Sequence, residues 1–214
     1  MLENVSLFSG LSKQDLAVID QHMVTKTFPP NTVVLMEGER SDSLYIILEG
    51  KVKIYASEDS GNEVILNMQG RGDFFGEMTL LDDAPRSASV MTMESTRVSV
   101  MTKAAFRECL AGHPEVAYNL IRMLTERVRV LTESVKSLAL LDVYGRVART
   151  LLNLAAPVGN RLIVQQKLTH QEIANMVGAS REMVTRILKD LTDKGYIKID
   201  RKYITINEDL TENR

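Results

Sequence analysis

From Phe28 onward the apolar positions recur with a period of two. Six short runs carry the pattern: Val33 to Met36, Leu44 to Glu49, Lys51 to Ala56, Glu63 to Met68, Ala88 to Met93 and Thr96 to Met101. Such alternation predicts strands. The runs are separated by Glu37-Gly38-Glu39, Glu49-Gly50, Ser60-Gly61-Asn62 and Gly70-Arg71-Gly72. Short strands with glycine at the corners predict a sandwich or jelly roll of about 80 residues, too small to enclose a large active-site cleft. Residues 5–23 read as a loop and a short helix with Ser12 as N-cap and Leu16, Ile19 and Met23 on one face.

From Pro114 to Leu141 the period lengthens. Ile121, Val128 and Val135 take one seam position, and Ala117, Leu124, Leu131 and Leu138 the other, alternately four and three apart. β-branched residues at a with Leu at d are the combination that favours a parallel two-stranded coiled coil. Glu126, Arg127, Arg129, Glu133 and Lys136 are left for the flanks. A symmetric dimer built on a shared helix pair is one reading; an amphipathic helix packed on its own domain is the other.

After Asp142 a helix is predicted through Val143, Val147, Leu151 and Leu154, closed by Ala156-Pro157-Val158-Gly159, then a short strand at Leu162 to Val164. Thr169-His170-Gln171-Glu172 is a capping box. Ile173, Ala174 and Val177 give that helix its apolar face, Gly178-Ala179 a tight turn, and Ser180 caps a second helix to about Thr192. Two short helices joined through a glycine turn predict a helix-turn-helix. With Val184, Ile187, Leu188 and Leu191 inward, Arg181, Glu182, Thr185, Arg186 and Lys189 form one outward stripe. Arg reads guanine bidentately and Glu accepts from cytosine, so Arg181, Glu182 and Arg186 make a base-reading set; Ser180, Gln171 and Lys189 suit phosphates. A solvated charged helix is the alternative. Tyr196 to Ile199 and Tyr203 to Ile206, around Asp200-Arg201-Lys202, predict a wing, and the acidic tail from Glu208 frays.

Charge strengthens the division. Residues 1–142 carry 14 Lys and Arg against 20 Asp and Glu, and residues 143–207 carry 11 against 5. The basic last third suggests a polyanion partner. No apolar run is long enough to span a bilayer, and Met1 leads into Glu3 and Asn4 rather than a signal segment, so a cytoplasmic protein is expected. Cys109 is the single cysteine, and His22, His113 and His170 lie far apart. No disulfide, haem, iron–sulfur cluster or metal is expected, nor is an enzyme, since no nucleophile, base and orienter set is found.

One segment interrupts the strands: Gly-Asp-Phe-Phe-Gly-Glu-Met-Thr-Leu-Leu-Asp-Asp-Ala-Pro-Arg-Ser-Ala, residues 72–88. Gly76 permits close backbone approach, and the free N–H groups at the start of a short helix from Met78 suit an anion. Arg86 offers a planar fork to two phosphate oxygens, with Ser87 as a further donor, and Glu77 can accept from a sugar hydroxyl. The set fits a ligand with a hydroxylated ring and one phosphate. Alternatively, Glu77 and Arg86 pair to pin the loop.

Gly-Glu-Met-Thr-Leu followed by Pro-Arg-Ser-Ala resembles the phosphate-binding cassette of cyclic-nucleotide-binding domains. The whole chain, through Leu140-Leu141-Asp142-Val143 and Arg-Glu-x-x-x-Arg at 181–186, resembles the CRP/FNR family of bacterial transcription regulators, nearest to its cyclic-AMP-binding members. The resemblance implies an α+β chain: a sensor β-roll over residues 1–112, a dimerisation helix over 113–141 and a winged helix-turn-helix over 142–214. It implies a cyclic-nucleotide effector, cyclic AMP or cyclic GMP, held by the cassette residues Gly76, Glu77, Met78, Arg86, Ser87 and Ala88. Gly76 and Glu77 would take the ribose, and Arg86 and Ser87 the cyclic phosphate. Leu131 and Thr132 stand where a Thr-Ser pair reaches the adenine; Thr132 keeps a hydroxyl and Leu131 does not, a loss of about 1 kcal/mol if the base edge is left unpaired. The DNA set becomes Thr169, Gln171, Ser180, Arg181, Glu182, Thr185, Arg186 and Lys189, on palindromic sites of the TGTGA type. RNA polymerase would be met through a loop at 156–161 shorter than in those members. Two rivals stand beside this expectation: a regulator of the same family that answers another signal or none, and a cyclic-nucleotide-binding regulatory subunit with no DNA role.

Overall fold

The computed structural model describes residues 2–58, 62–159, 161–200 and 203–207. It divides into two compact units, Met1–Glu58 with Ile65–Val130, and Asp59–Val64 with Leu131–Arg214. The turns expected at Ser60-Gly61-Asn62 and Asp200-Arg201-Lys202 lie partly outside the described residues, as does the loop at 156–161; the tail from Glu208 lies wholly outside.

Two short 3-10 turns, Leu2–Asn4 and Ser6–Phe8, precede α1 (Lys13–Gln21). Ser12 caps α1 by accepting from Asp15 N at 3.2 Å. Eight strands follow: β1 (Met23–Phe28), β2 (Val33–Leu35), β3 (Ser43–Glu49), β4 (Val52–Ser57), β5 (Glu63–Gln69), β6 (Phe74–Phe75), β7 (Ser89–Thr92) and β8 (Thr96–Thr102), with α2 (Met78–Asp82) between β6 and β7. They form two four-stranded sheets, ordered β1-β8-β3-β6 and β2-β7-β4-β5. This is the expected β-roll. Met23 is a correction: it begins β1, paired with Met101 on β8, instead of closing the helix. β1 shows no clean alternation of burial, which is why period two does not reveal it.

β3 explains how the unit is layered. Leu44, Ile46 and Leu48 point into a cluster with Leu7, Phe8, Phe74, Met101, Phe106, Val116 and Leu120, whereas Ile47 joins Leu35, Val52, Phe75, Val90 and Val98. Successive side chains on a strand face opposite ways, so the first sheet has helices on one face and the second sheet on the other. The helical side includes α3 (Lys103–Gly112), which period two did not anticipate; Thr102 caps it by accepting from Ala105 N, and it buries Phe106 and Cys109. Burial, then Glu115, push the Cys109 thiol up to about 11, so it is a neutral core side chain near neutral pH.

Helix α4 (Pro114–Leu140) follows. Val116, Asn119 and Leu120 are buried, with Met123 and Leu124 packed on the same cluster. Asn119 Nδ2 donates to Leu7 O at 3.2 Å and Ser9 O at 2.8 Å, tying the first turns of the chain to the helix. Ile121, Val128, Leu131, Val135 and Leu138 are all at least half exposed.

In the second unit, Asp142 caps α5 (Val143–Leu154) through Gly145 N at 2.8 Å. The segment expected to close α5 is instead a strand, β9 (Ala155–Val158), paired antiparallel with β10 (Arg161–Val164). Helices α6 (His170–Val177) and α7 (Arg181–Asp193) and strands β11 (Ile197–Asp200) and β12 (Tyr203–Ile206) complete a sheet of order β11-β12-β10-β9. Gly178 ends α6 at φ +61, the left-handed conformation that glycine adopts without a Cβ penalty. Arg146 reinforces that end by donating from Nε to Val177 O at 2.9 Å. The buried residues of α6 and α7 are the apolar sets read from the sequence.

Candidate effector and DNA sites

The cassette hangs on Arg86. Its backbone is held by the turn after β2: Arg86 N donates to Glu39 O, and Gly38 N to Arg86 O, each at 2.9 Å. Its side chain is only 4% exposed. Nη1 donates to Gly76 O at 2.5 Å and Thr79 Oγ1 at 2.6 Å, and Nη2 to Ser41 Oγ at 2.7 Å and Ser43 O at 2.8 Å. The four terminal N–H groups of the guanidinium are thus matched by four protein acceptors, and the buried Nε has none among the described residues. Burial pulls the Arg86 pKa below the usual guanidinium range, opposed by Tyr45, Glu77 and Asp42. The fork read from the sequence as offered to phosphate therefore rests on protein oxygens here.

Gly76 makes this packing possible. Its φ is +85, and a Cβ there would lie 2.7 Å from Arg86 Nη1 and 2.9 Å from Ser43 O. Gly76→Ala is expected to destabilise the first unit by about 1–3 kcal/mol, read as a lower urea midpoint at unchanged slope; an unaltered midpoint would show that the cassette is not held this tightly.

Glu77 is also buried, but its ion pair is with Arg127 on α4 and not with Arg86. Arg127 Nη1 donates to Glu77 Oε1 at 2.5 Å and Nη2 to Phe74 O at 2.8 Å, and the guanidinium lies 4.7 Å from the Phe74 ring centroid. Arg127 is the site residue that the sequence reading misses. The heptad count makes it a flanking charge, yet it continues the inward line Val116, Leu120 and Met123, spaced four, three and four apart. Of the remaining cassette residues, Met78 is half exposed, Ser87 is exposed with Oγ 3.5 Å from Met78 Sδ, and Ala88 is partly buried. Leu131 and Thr132 are exposed on α4.

In the second unit the capping box forms as read: Glu172 N donates to Thr169 Oγ1 at 3.1 Å and Thr169 N to Glu172 Oε2 at 2.6 Å. Ser180 Oγ accepts from Met183 N at 3.3 Å, and Gln171 Nε2 donates to Asn175 Oδ1 at 2.7 Å. Arg181, Glu182, Thr185, Arg186 and Lys189 are all exposed on α7. Asp190, at the far end of the helix, is paired with Lys194 at 2.8 Å, whereas Arg181, Arg186 and Lys189 have no ion pair among the described residues. A row of cations left without carboxylates is suited to phosphate oxygens and guanine edges.

A β-roll carrying a buried glutamate and arginine beside a left-handed glycine, together with a capped helix-turn-helix and its strand hairpin, defines an effector-binding sensor combined with a DNA-binding module. Residues 25–113 match the cyclic nucleotide-binding domain and residues 145–209 the Crp-like helix-turn-helix domain. The chain is 36% identical over 212 residues to the CRP-like cAMP-activated global transcriptional regulator of Mycobacterium tuberculosis, covering 97% of this chain and 95% of that one. It is also 36% identical over 193 residues to the cAMP-activated global transcriptional regulator CRP of Salmonella typhimurium, covering 86% and 90%. Among solved structures, the c-di-GMP responsive global regulator CLP of Xanthomonas campestris superposes with a TM-score of 0.79 at 27% identity, over 91% of this chain and 99% of that one. The chain belongs to the CRP/FNR family of transcription regulators. Among the described residues no helix is long and apolar enough to cross a membrane, and no group of three or more His, Cys, Asp or Glu is placed to hold a metal ion.

Proposed function

We propose that the protein is a homodimeric transcription regulator whose affinity for palindromic DNA is set by a cyclic nucleotide, cyclic AMP before cyclic GMP. Residues 1–112 act as the sensor, 113–141 as the dimerisation helix and 142–214 as the DNA-binding domain. Gly76 and Glu77 take the ribose, Arg86 and Ser87 the cyclic phosphate, and Met78 and Ala88 line the cassette. Thr132 offers a hydroxyl toward the base, and Leu131 belongs to the dimer seam. Arg181, Glu182, Thr185 and Arg186 read bases; Thr169, Gln171, Ser180 and Lys189 position the phosphate backbone. The names of the Mycobacterium and Salmonella relatives support cyclic AMP as the effector. RNA polymerase is the further partner.

The observation that carries the reading is the Glu77–Arg127 pair. It fastens the cassette to the helix that displays the exposed apolar seam. A ribose hydroxyl that takes up Glu77 competes with Arg127 for the same carboxylate, so ligand binding bears on how α4 is held and thereby on how two copies meet. Such a ligand shifts the protein only by binding one arrangement better than the other.

A second reading, a regulator of this family that answers a different signal, is favoured by the four protein acceptors on Arg86 and by Leu131 where a base contact is expected. Titration calorimetry with cyclic AMP and cyclic GMP, with and without a TGTGA-type palindromic duplex, separates the two. Tighter nucleotide binding on DNA than off it supports the first reading, because linkage is reciprocal. No heat from either nucleotide beside intact DNA binding supports the second.

A further inference from the structure

Away from the cassette, the first unit holds an open cavity of about 250 Å³ between the first turn of the chain and the corner that leads into β6. Neither the cassette nor the DNA stripe uses it. Glu3 and Asn4 line one wall and Arg71 and Gly72 the other, and Glu49 of β3 and Arg97 of β8 complete the polar lining. The two walls meet closely at Gly72, whose φ is +89 and where a Cβ would lie 2.9 Å from Asn4 O. Arg97 is already engaged: Nη2 donates to Glu49 Oε1 at 2.6 Å and Nε to Oε2 at 3.3 Å. Each Glu49 oxygen keeps a second lone pair for another donor.

Arg71 stands near the same carboxylate. Its charge, after the hydrogen bond and the charge of Arg97, helps hold the Glu49 carboxyl below the usual carboxylate range against the effect of burial. Its own guanidinium makes no hydrogen bond or close ion pair among the described residues, so the planar fork is open to a carboxylate. Glu3 is paired with Lys13 at 3.8 Å, beyond hydrogen-bond reach. Two guanidiniums and two carboxylates thus face one space. A polyanion would meet the carboxylates and a polycation the guanidiniums, whereas a small molecule that carries both signs finds a partner for each. Sites for drug-sized ligands run to about 300–1,000 Å³, so the occupant is smaller than that.

We infer that this cavity is a second ligand site, separate from the cassette, that takes a small free α-amino acid with its carboxylate on Arg71 and its ammonium on Glu3 and Glu49. Both walls are already fastened to α4. Asn119 donates to Leu7 O and Ser9 O just beyond the first wall, and Arg127 donates to Phe74 O just beyond the second. An occupant that spans the cavity joins these two segments to each other, so its binding bears on the helix that carries the exposed seam.

The test is titration calorimetry of the full chain with L-alanine, L-serine and L-valine, beside N-acetyl-L-alanine, which lacks the ammonium, and L-alaninamide, which lacks the carboxylate. At least one free amino acid is expected to bind, and the two blocked forms to bind about tenfold more weakly or worse. Arg71→Gln and Glu3→Gln should each weaken binding by a similar factor. Both side chains are exposed, so the unfolding midpoint of each variant without ligand should match the wild type. Hydrogen exchange should slow on both walls, over residues 2–9 and 70–75, when the amino acid is added. No heat from any of the three amino acids, full-strength binding by Arg71→Gln, or equal binding of the blocked forms would overturn the inference. Displacement by cyclic AMP with protection confined to residues 76–88 would also overturn it, by placing the occupant in the cassette. The cyclic-nucleotide and DNA readings stand or fall separately, because none of these titrations depends on them.

Discussion

Val128→Glu is expected to convert the protein into a 24.0 kDa monomer and to lower its affinity for a palindromic duplex by about a hundredfold to ten-thousandfold, the gain that linking two binding modules supplies. Val128 is 61% exposed in the chain as it stands. Ile121, Leu131, Val135 and Leu138 lie along the same helix and are as open to solvent. Fully burying an aliphatic side chain of this size contributes about 1.5–3 kcal/mol, so the seam is ample to hold two copies together. In a parallel two-stranded coil the a positions face each other across the axis. The substitution would therefore place two carboxylates opposite one another in a seam with no partner for either, which opposes burial through desolvation and mutual repulsion. Val128 does not belong to the buried cluster of the first unit, so the monomer should keep the secondary structure of the wild type. Sedimentation equilibrium and circular dichroism read the two effects separately. A variant that remains dimeric would place the interface elsewhere than on this stripe.

Helix α4 presents two apolar lines, one exposed and one packed on its own unit. Heptad spacing selects Ile121, Val128, Leu131, Val135 and Leu138, and these are exposed; packing on its own domain requires another line, and Val116, Leu120 and Met123 supply it. Leu124 belongs to both, as a predicted d position that packs on the cluster. Period alone could not separate the faces, because 3.5 and 3.6 residues per turn differ little over a helix of this length. Local signals that involve neighbouring residues were fully legible. The capping box at Thr169 and Glu172, the caps at Ser12 and Ser180, and the glycine turn between α6 and α7 all form as read.

What the sequence concealed depends on partners distant along the chain. Glu77 and Arg86 lie nine residues apart, and a pair between them is the economical local guess. Yet Glu77 finds Arg127, fifty residues on, while Arg86 finds Ser41 and Ser43, more than forty residues back. Each choice is dictated by burial. A carboxylate and a guanidinium that are both nearly inaccessible need several oriented partners each, and the turn before β3, the bend at Gly76 and the inner face of α4 bring those partners to them. Helix α3 and strand β1 were hidden for a related reason: α3 buries only Phe106 and Cys109, and most of β1 faces solvent, so neither carries a strong periodic pattern.

Arg86→Ala is expected to abolish the response of DNA binding to cyclic nucleotide while leaving the dimer intact. The substitution removes the donor for Gly76 O, Thr79 Oγ1, Ser41 Oγ and Ser43 O together. The two hydroxyls can turn toward other acceptors, whereas the two carbonyls cannot move without shifting the bend at Gly76 and the start of β3. Unsatisfied buried polar groups cost about 1–3 kcal/mol each, so a loss of about 2–4 kcal/mol concentrated in the cassette is the expected stability effect. The phosphate loses its cation at the same time. Arg86→Lys restores the charge but not the planar fork, and it should recover stability in part and nucleotide binding little. The Glu77–Arg127 pair involves neither Arg86 nor its acceptors, so α4 stays fastened to the cassette and the seam keeps its presentation. Calorimetry with cyclic AMP should register no binding, sedimentation should give the wild-type mass, and duplex affinity should hold one value with and without nucleotide. A variant that takes up nucleotide normally and still couples it to DNA would show that Arg86 is only a structural pin, and the effector site would have to be sought away from the cassette.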